Sequence, residues 1–177
     1  SDATSKGEGG MGDSRPPGPL GEGDNIIPRW ERWEIRFESS SEAAYARQLD
    51  AFKIELGAAG GGKKNVDYAS NLSQGKPNTH SGPGDKEKRL YMTWRGGSLQ
   101  KFDQNLLRKA GVNITNRLLM QFYPEEVEDR LAWIEKEHAD KQKKVLSEYL
   151  KTVFELKPKG STWEFVVAEM RFRPKPK

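Results

Sequence analysis

Gly57 to Lys63 satisfies the spacing G-x-x-x-x-G-K directly after the strand-like run Ile54-Glu55-Leu56. In a phosphate-binding loop this spacing lets successive backbone N–H groups wrap an anion while the lysine reaches it. Here Lys64 stands where a Ser or Thr hydroxyl would hold magnesium, and Asn65-Val66-Asp67-Tyr68 alternates like a strand instead of opening a helix. Without a helix N-terminus such a site loses its dipole and half its donors. A plain glycine hairpin turn is the better expectation.

The other chemistries are thin. Cysteine is absent, which removes disulfides, thiolate catalysis and sulfur-ligated zinc. His80 and His138 are the two histidines, and their separation gives no H-x-x-x-H pairing for a metal. No G-x-S-x-G elbow supplies a covalent nucleophile. Glu125, Glu126, Glu128 and Asp129 cluster where the N-terminus of a helix wants negative charge anyway. No cofactor, metal or catalytic residue is assigned.

Basic and aromatic residues offer more. Trp30, Trp33, Tyr91, Trp94 and Trp163 interleave with Arg29, Arg32, Arg89, Arg95 and Arg171. Sheets can stack bases on aromatics beside phosphate-binding arginines. Trp33 and Trp94, however, sit on the apolar faces of their strands, where core packing explains them more simply. The candidate partner-binding residues are Arg32, Arg89, Arg95, Arg171, Arg173 and His80.

The elements that must carry these residues follow from periodicity. Trp33, Ile35 and Phe37 alternate with charged residues as a half-buried strand, and Ser39 with Glu42 has the spacing of a capping box. Tyr45, Leu49 and Phe52 then predict a helix. Ile54–Leu56 and Val66–Leu72 read as two strands joined by glycines. Residues 73–88 hold three Gly, two Pro and no apolar side chain, and are expected to form a long flexible loop. A second strand–helix–strand follows: Leu90, Met92 and Trp94; then Leu99, Phe102, Leu106 and Ala110 behind a Ser98 cap; then Leu118, Met120 and Phe122. Pro124 opens a third helix striped by Val127, Leu131 and Ile134, and a final hairpin spans 150–172. Its second strand is apolar on both faces, which predicts a central strand or one covered on both sides. The whole predicts an α+β two-layer sandwich with a mostly antiparallel sheet of split β-α-β, ferredoxin-like character, about three helices packing on one face.

Composition divides the chain at Pro28. Residues 1–28 contain seven Gly, four Pro and a net charge of −3, and are expected to be a disordered linker. Residues 29–177 carry 28 Lys and Arg against 21 Asp and Glu, and form one α+β domain. That balance raises the odds of a polyanionic partner. No run approaches the ~18 consecutive apolar residues of a membrane-spanning helix. The chain opens on Ser1, so a signal peptide, membrane anchor or further domain is expected upstream. The leading expectation is a non-enzymatic binding or assembly module with a protein partner, tethered through the linker, in an extracytoplasmic setting in preference to the cytoplasm. An RNA- or DNA-binding domain is the second expectation, and a small enzyme without a known motif the third.

Overall fold

The computed structural model describes residues 2–4, 25–94 and 99–174. In chain order they form β1 (Asp2–Thr4), α1 (Arg29–Arg32), β2 (Trp33–Arg36), α2 (Glu42–Ala51), β3 (Glu55–Gly60), β4 (Lys63–Ser70), β5 (Asn78–Pro83), β6 (Leu90–Trp94), α3 (Gln100–Lys109), β7 (Leu118–Tyr123), α4 (Glu125–Lys141), β8 (Tyr149–Lys159) and β9 (Thr162–Phe172). The architecture is a two-layer α+β sandwich of two mostly antiparallel sheets with four α-helices. One sheet has the order β5-β4-β3-β7-β6 and the other β2-β8-β9; β1 lies between them and pairs with both β6 and β2. Among the described residues no helix is long and apolar enough to cross a membrane.

Strand alternation sorts the side chains onto two faces. Leu56, Ala58, Ala69, Met92, Leu119 and Tyr123 join Tyr45, Leu49, Leu106 and Leu131 from the helices in the main core. Ala59, Val66, Tyr68, Tyr91, Met120 and Phe122 form a smaller buried cluster on the opposite face of the first sheet. Trp33 and Trp94 are 1% and 8% exposed, as expected for core residues. The first strand–helix–strand unit is split: β2 and β3 run parallel, with β1, β6 and β7 between them. The second unit differs, because β6 and β7 are adjacent and antiparallel. The similar spacing of the two units in the sequence therefore codes for two different topologies.

Several boundaries shift from expectation. Ser41, not Ser39, caps α2, its hydroxyl accepting from the Ala44 N–H at 3.1 Å. Leu99 occupies the N-cap position of α3, and the expected cap Ser98 lies outside the described residues. At the far end of that helix Gly111, at φ +88°, stops it as expected, with the Val112 N–H donating to Leu107 O at 2.9 Å. The 73–88 segment is not loop throughout. Residues 78–83 form β5, paired with β4 from Asn65↔Pro83 to Ser70↔Asn78. An edge strand can be built from polar residues, because its main chain pairs on one side and its side chains need no core. β9 is likewise an edge strand rather than a central one, so its second apolar face is only half-buried.

Strand β3 runs on through Gly57, and the glycine turn begins only at Gly60. A Cβ on Gly57 would lie 2.5 Å from Phe122 Cε2 and 3.2 Å from Val66 Cγ1, and Phe122 is fully buried. Gly57→Ala is therefore expected to cost about 1–3 kcal/mol through overpacking. Urea denaturation checks this, and an unchanged midpoint would show that the Phe122 ring gives way freely.

Candidate functional site

Gly60, Gly61 and Gly62 all have positive φ, the backbone that only glycine adopts without strain, and they close the β3–β4 hairpin. What approaches this turn is a cation. Arg117, its side chain 2% exposed, donates to Gly60 O at 3.2 Å and to Asn65 O at 2.9 Å, and pairs with Asp67. Hydrogen bonds from Ser81 and Arg117 hold the Asp67 carboxyl below its usual range. The hairpin thus presents carbonyl oxygens to a guanidinium, the opposite polarity to a phosphate loop. Lys63 and Lys64 lie on β4.

A second cluster lies over the smaller core. The Tyr68 and His80 rings stack at 4.5 Å with 13° between planes. Arg89 donates to Glu55 at 2.9 Å and to Glu87 at 2.8 Å, and its guanidinium sits 5.3 Å from the Phe122 ring centroid. Burial works against the Arg89 charge, but Glu87 and Glu55 outweigh it and hold its pKa up. Burial also pushes the Tyr68 hydroxyl up, reinforced by its hydrogen bond to Glu87. The pairing of β5 with β4 sets His80 opposite Tyr68, so two of the sequence candidates, His80 and Arg89, do meet. Arg89 is committed to two carboxylates. Among the described residues no three His, Cys, Asp or Glu side chains converge to hold a metal.

The third feature is a groove, with a cavity volume of about 680 Å³, between the chain just before α1, the outer face of α4 and the start of β8. Helix α4 turns Val127 and Leu131 into the core, which leaves Glu128, Ala132 and Glu135 along the groove. Glu135 is 2% exposed and forms the floor. Its carboxylate accepts from Arg32 Nε and Nη2 at 2.9 and 2.7 Å, from Trp33 Nε1 at 2.9 Å and from Thr152 Oγ1 at 2.6 Å. Arg32 is itself 5% exposed and lies 5.6 Å from the Tyr149 ring centroid. Burial raises the Tyr149 hydroxyl pKa, with the Glu135 charge adding to it. Above this floor the walls are mostly apolar, and Val145 and Leu146 remain 61% and 42% exposed at the rim.

No protein-family model, curated protein or solved structure matches this chain. The groove's own geometry therefore carries the functional reading.

Two of the sequence candidates shape this groove. Arg32 Nη1 donates to Ile27 O at 2.7 Å, and Arg173 Nη2 donates to Asn25 O at 2.6 Å. Arg173 also reaches Ser147 O through Nε at 3.0 Å. Together they pin residues 25–27 as one wall. Arg171 stands apart on β9, 62% exposed and paired with Glu169 at 2.7 Å. Arg95 lies outside the described residues. The groove was missed in the sequence because its walls come from segments more than a hundred residues apart. The one available signal was Val145-Leu146, an apolar pair between a helix and a strand pattern.

Proposed function

We propose that this domain is a non-enzymatic binding module whose groove takes the large apolar side chains of a protein partner. One observation carries the reading. The groove is mostly apolar, and every charged side chain that lines it has a counter-ion in the chain itself: Arg29 with Glu128, Arg32 with Glu135, Lys136 with Asp140, and Lys144 with Glu148. A ligand therefore meets no net charge to neutralise, and its affinity must come from apolar burial. Val145 and Leu146 line the groove and stay largely exposed, so its apolar wall is open to solvent. A protein segment lying across this open wall would cover both side chains.

The carboxylate partners of Arg32, Arg89 and Arg171 weigh against nucleic acid, since a phosphate would have to displace each of them. The test is selection of peptides from a displayed library on the full chain, followed by measurement on Ala132→Arg. Selected peptides are expected to carry two large apolar residues and to lose at least ~10-fold in affinity on this substitution, which fills the groove. Equal binding to both forms would reject the groove as the site. Steeply salt-dependent binding of a single-stranded oligonucleotide at 50 mM salt, with no peptide selected, would replace the reading altogether.

A further inference from the structure

Strands β2 and β6 run parallel to each other and do not pair directly; a single strand fits between them. Strand β1 occupies that position, antiparallel to both. Ala3 is the register partner of Ile35 on one side and of Trp94 on the other, and Thr4 that of Glu34 and Thr93. With about 4.8 Å between neighbouring strands, the two flanking strands stand roughly 10 Å apart. Only an extended polypeptide offers N–H and C=O groups to both sides at that spacing. The slot thus specifies the class of its occupant.

Its present occupant is a weak one. β1 has three residues, Asp-Ala-Thr, of which only threonine favours strands. Ordering three residues costs about as much as a few main-chain hydrogen bonds return. Twenty residues, rich in glycine and proline, separate Thr4 from Asn25. Being on the same chain, β1 competes for the slot intramolecularly. The identical strand of a second copy, free in solution, is at a disadvantage against it. A longer segment with better strand formers is not.

We infer that the slot between β2 and β6 is a docking site for an extended segment of a protein partner, and that β1 is a placeholder the partner displaces. The register states the segment's chemistry. The position opposite Ile35 and Trp94 faces two buried core residues and takes a small apolar side chain. The positions on either side face Arg36, and Glu34 with Thr93, and take polar ones. The inference deepens the reading of the domain as a protein-binding module but uses a different surface, so Ala132→Arg leaves it untouched.

The absence of cysteine makes the test direct. In the full chain, Asp2→Cys with Arg36→Cys joins two register partners and locks β1 in place when oxidised. The probe is a labelled peptide with the sequence of residues 1–10 carrying Ser5→Val and Gly7→Val. It should bind the reduced double variant and lose at least ~10-fold on oxidation. As a second measurement, Thr4→Pro in the otherwise unchanged chain removes a ladder donor from β1 and should tighten probe binding by at least ~10-fold. Absence of probe binding to every form, or binding indifferent to both the lock and Thr4→Pro, would overturn the inference. So would a disulfide that forms between two chains instead of within one, because the occupant would then be a second copy.

Discussion

Glu135→Ala is expected to destabilise the domain by about 3–5 kcal/mol, because it strands a buried arginine. The Glu135 carboxylate accepts four hydrogen bonds, two of them from Arg32, and both partners are almost fully buried. Truncation leaves the Arg32 guanidinium without its charge partner, and leaves Trp33 Nε1 and Thr152 Oγ1 without an acceptor, each a cost of about 1–3 kcal/mol. The exposed pair Lys136–Asp140 supplies the contrast. Its side chains are 71% and 55% exposed, and Lys136→Ala should change stability by no more than about 0.5 kcal/mol. Urea denaturation of both variants reads the difference. The double variant Arg32→Met with Glu135→Leu should recover much of the loss, since removing both charges leaves no orphan. A small shift in Glu135→Ala would mean that water reaches the floor of the groove.

Stability is expected to fall as pH rises from about 4 to about 7, and Asp103 is the cause. This side chain is fully buried, and burial pushes its pKa up to about 7, although hydrogen bonds from Tyr45 and Trp94 favour the charged form. Tyr45 donates to Oδ1 at 2.5 Å, and Trp94 Nε1 donates to Oδ2. Behind them Gln121 Nε2 donates to the Tyr45 hydroxyl at 2.7 Å, and Tyr123 donates to Gln121 Oε1 at 2.8 Å. Every donor in the chain points toward the carboxylate. Burial, reinforced by the nearby Asp103 charge, keeps both tyrosine hydroxyls protonated well above their usual range. In the unfolded chain Asp103 titrates near 4, so between pH 4 and 7 the folded state holds a proton the unfolded state has released. The stabilisation is complete below pH 4 and is lost through pH 7. A shift of about three units corresponds to roughly 4 kcal/mol. Asp103→Asn should flatten this limb of the stability–pH curve while lowering stability at pH 4, where the native carboxyl is neutral. An unaltered limb in the variant would assign the dependence elsewhere.

Which parts of this were legible in the sequence follows from how local their causes are. Alternation at Trp33-Ile35-Phe37 and at Leu90-Met92-Trp94 marks core-facing strands because each strand writes its own pattern. Gly111 followed by Val112 marks a helix end for the same reason. Strand β5 left no such pattern: at the sheet edge its pairing is main chain to main chain, and Asn78-Thr79-His80-Ser81 serves as well as valines would. The partners of the arginines were hidden for a related reason. Arg32 and Arg173 are candidate partner-binding residues in the sequence, and their partners in the fold are a carboxylate 103 residues away and a carbonyl 148 residues away. Charge pairing at that separation has no periodicity to detect. The groove is the sum of such distant pairings, so no local signal announces it.

The same hydrogen bond between Arg173 and Asn25 sets two segments 148 residues apart side by side. The parallel pairing of β2 with β8 and the β8–β9 hairpin carry both segments to that point. Ile26 and Leu146 put that junction on the margin of the groove. Whatever the groove holds would therefore lie against both segments at once.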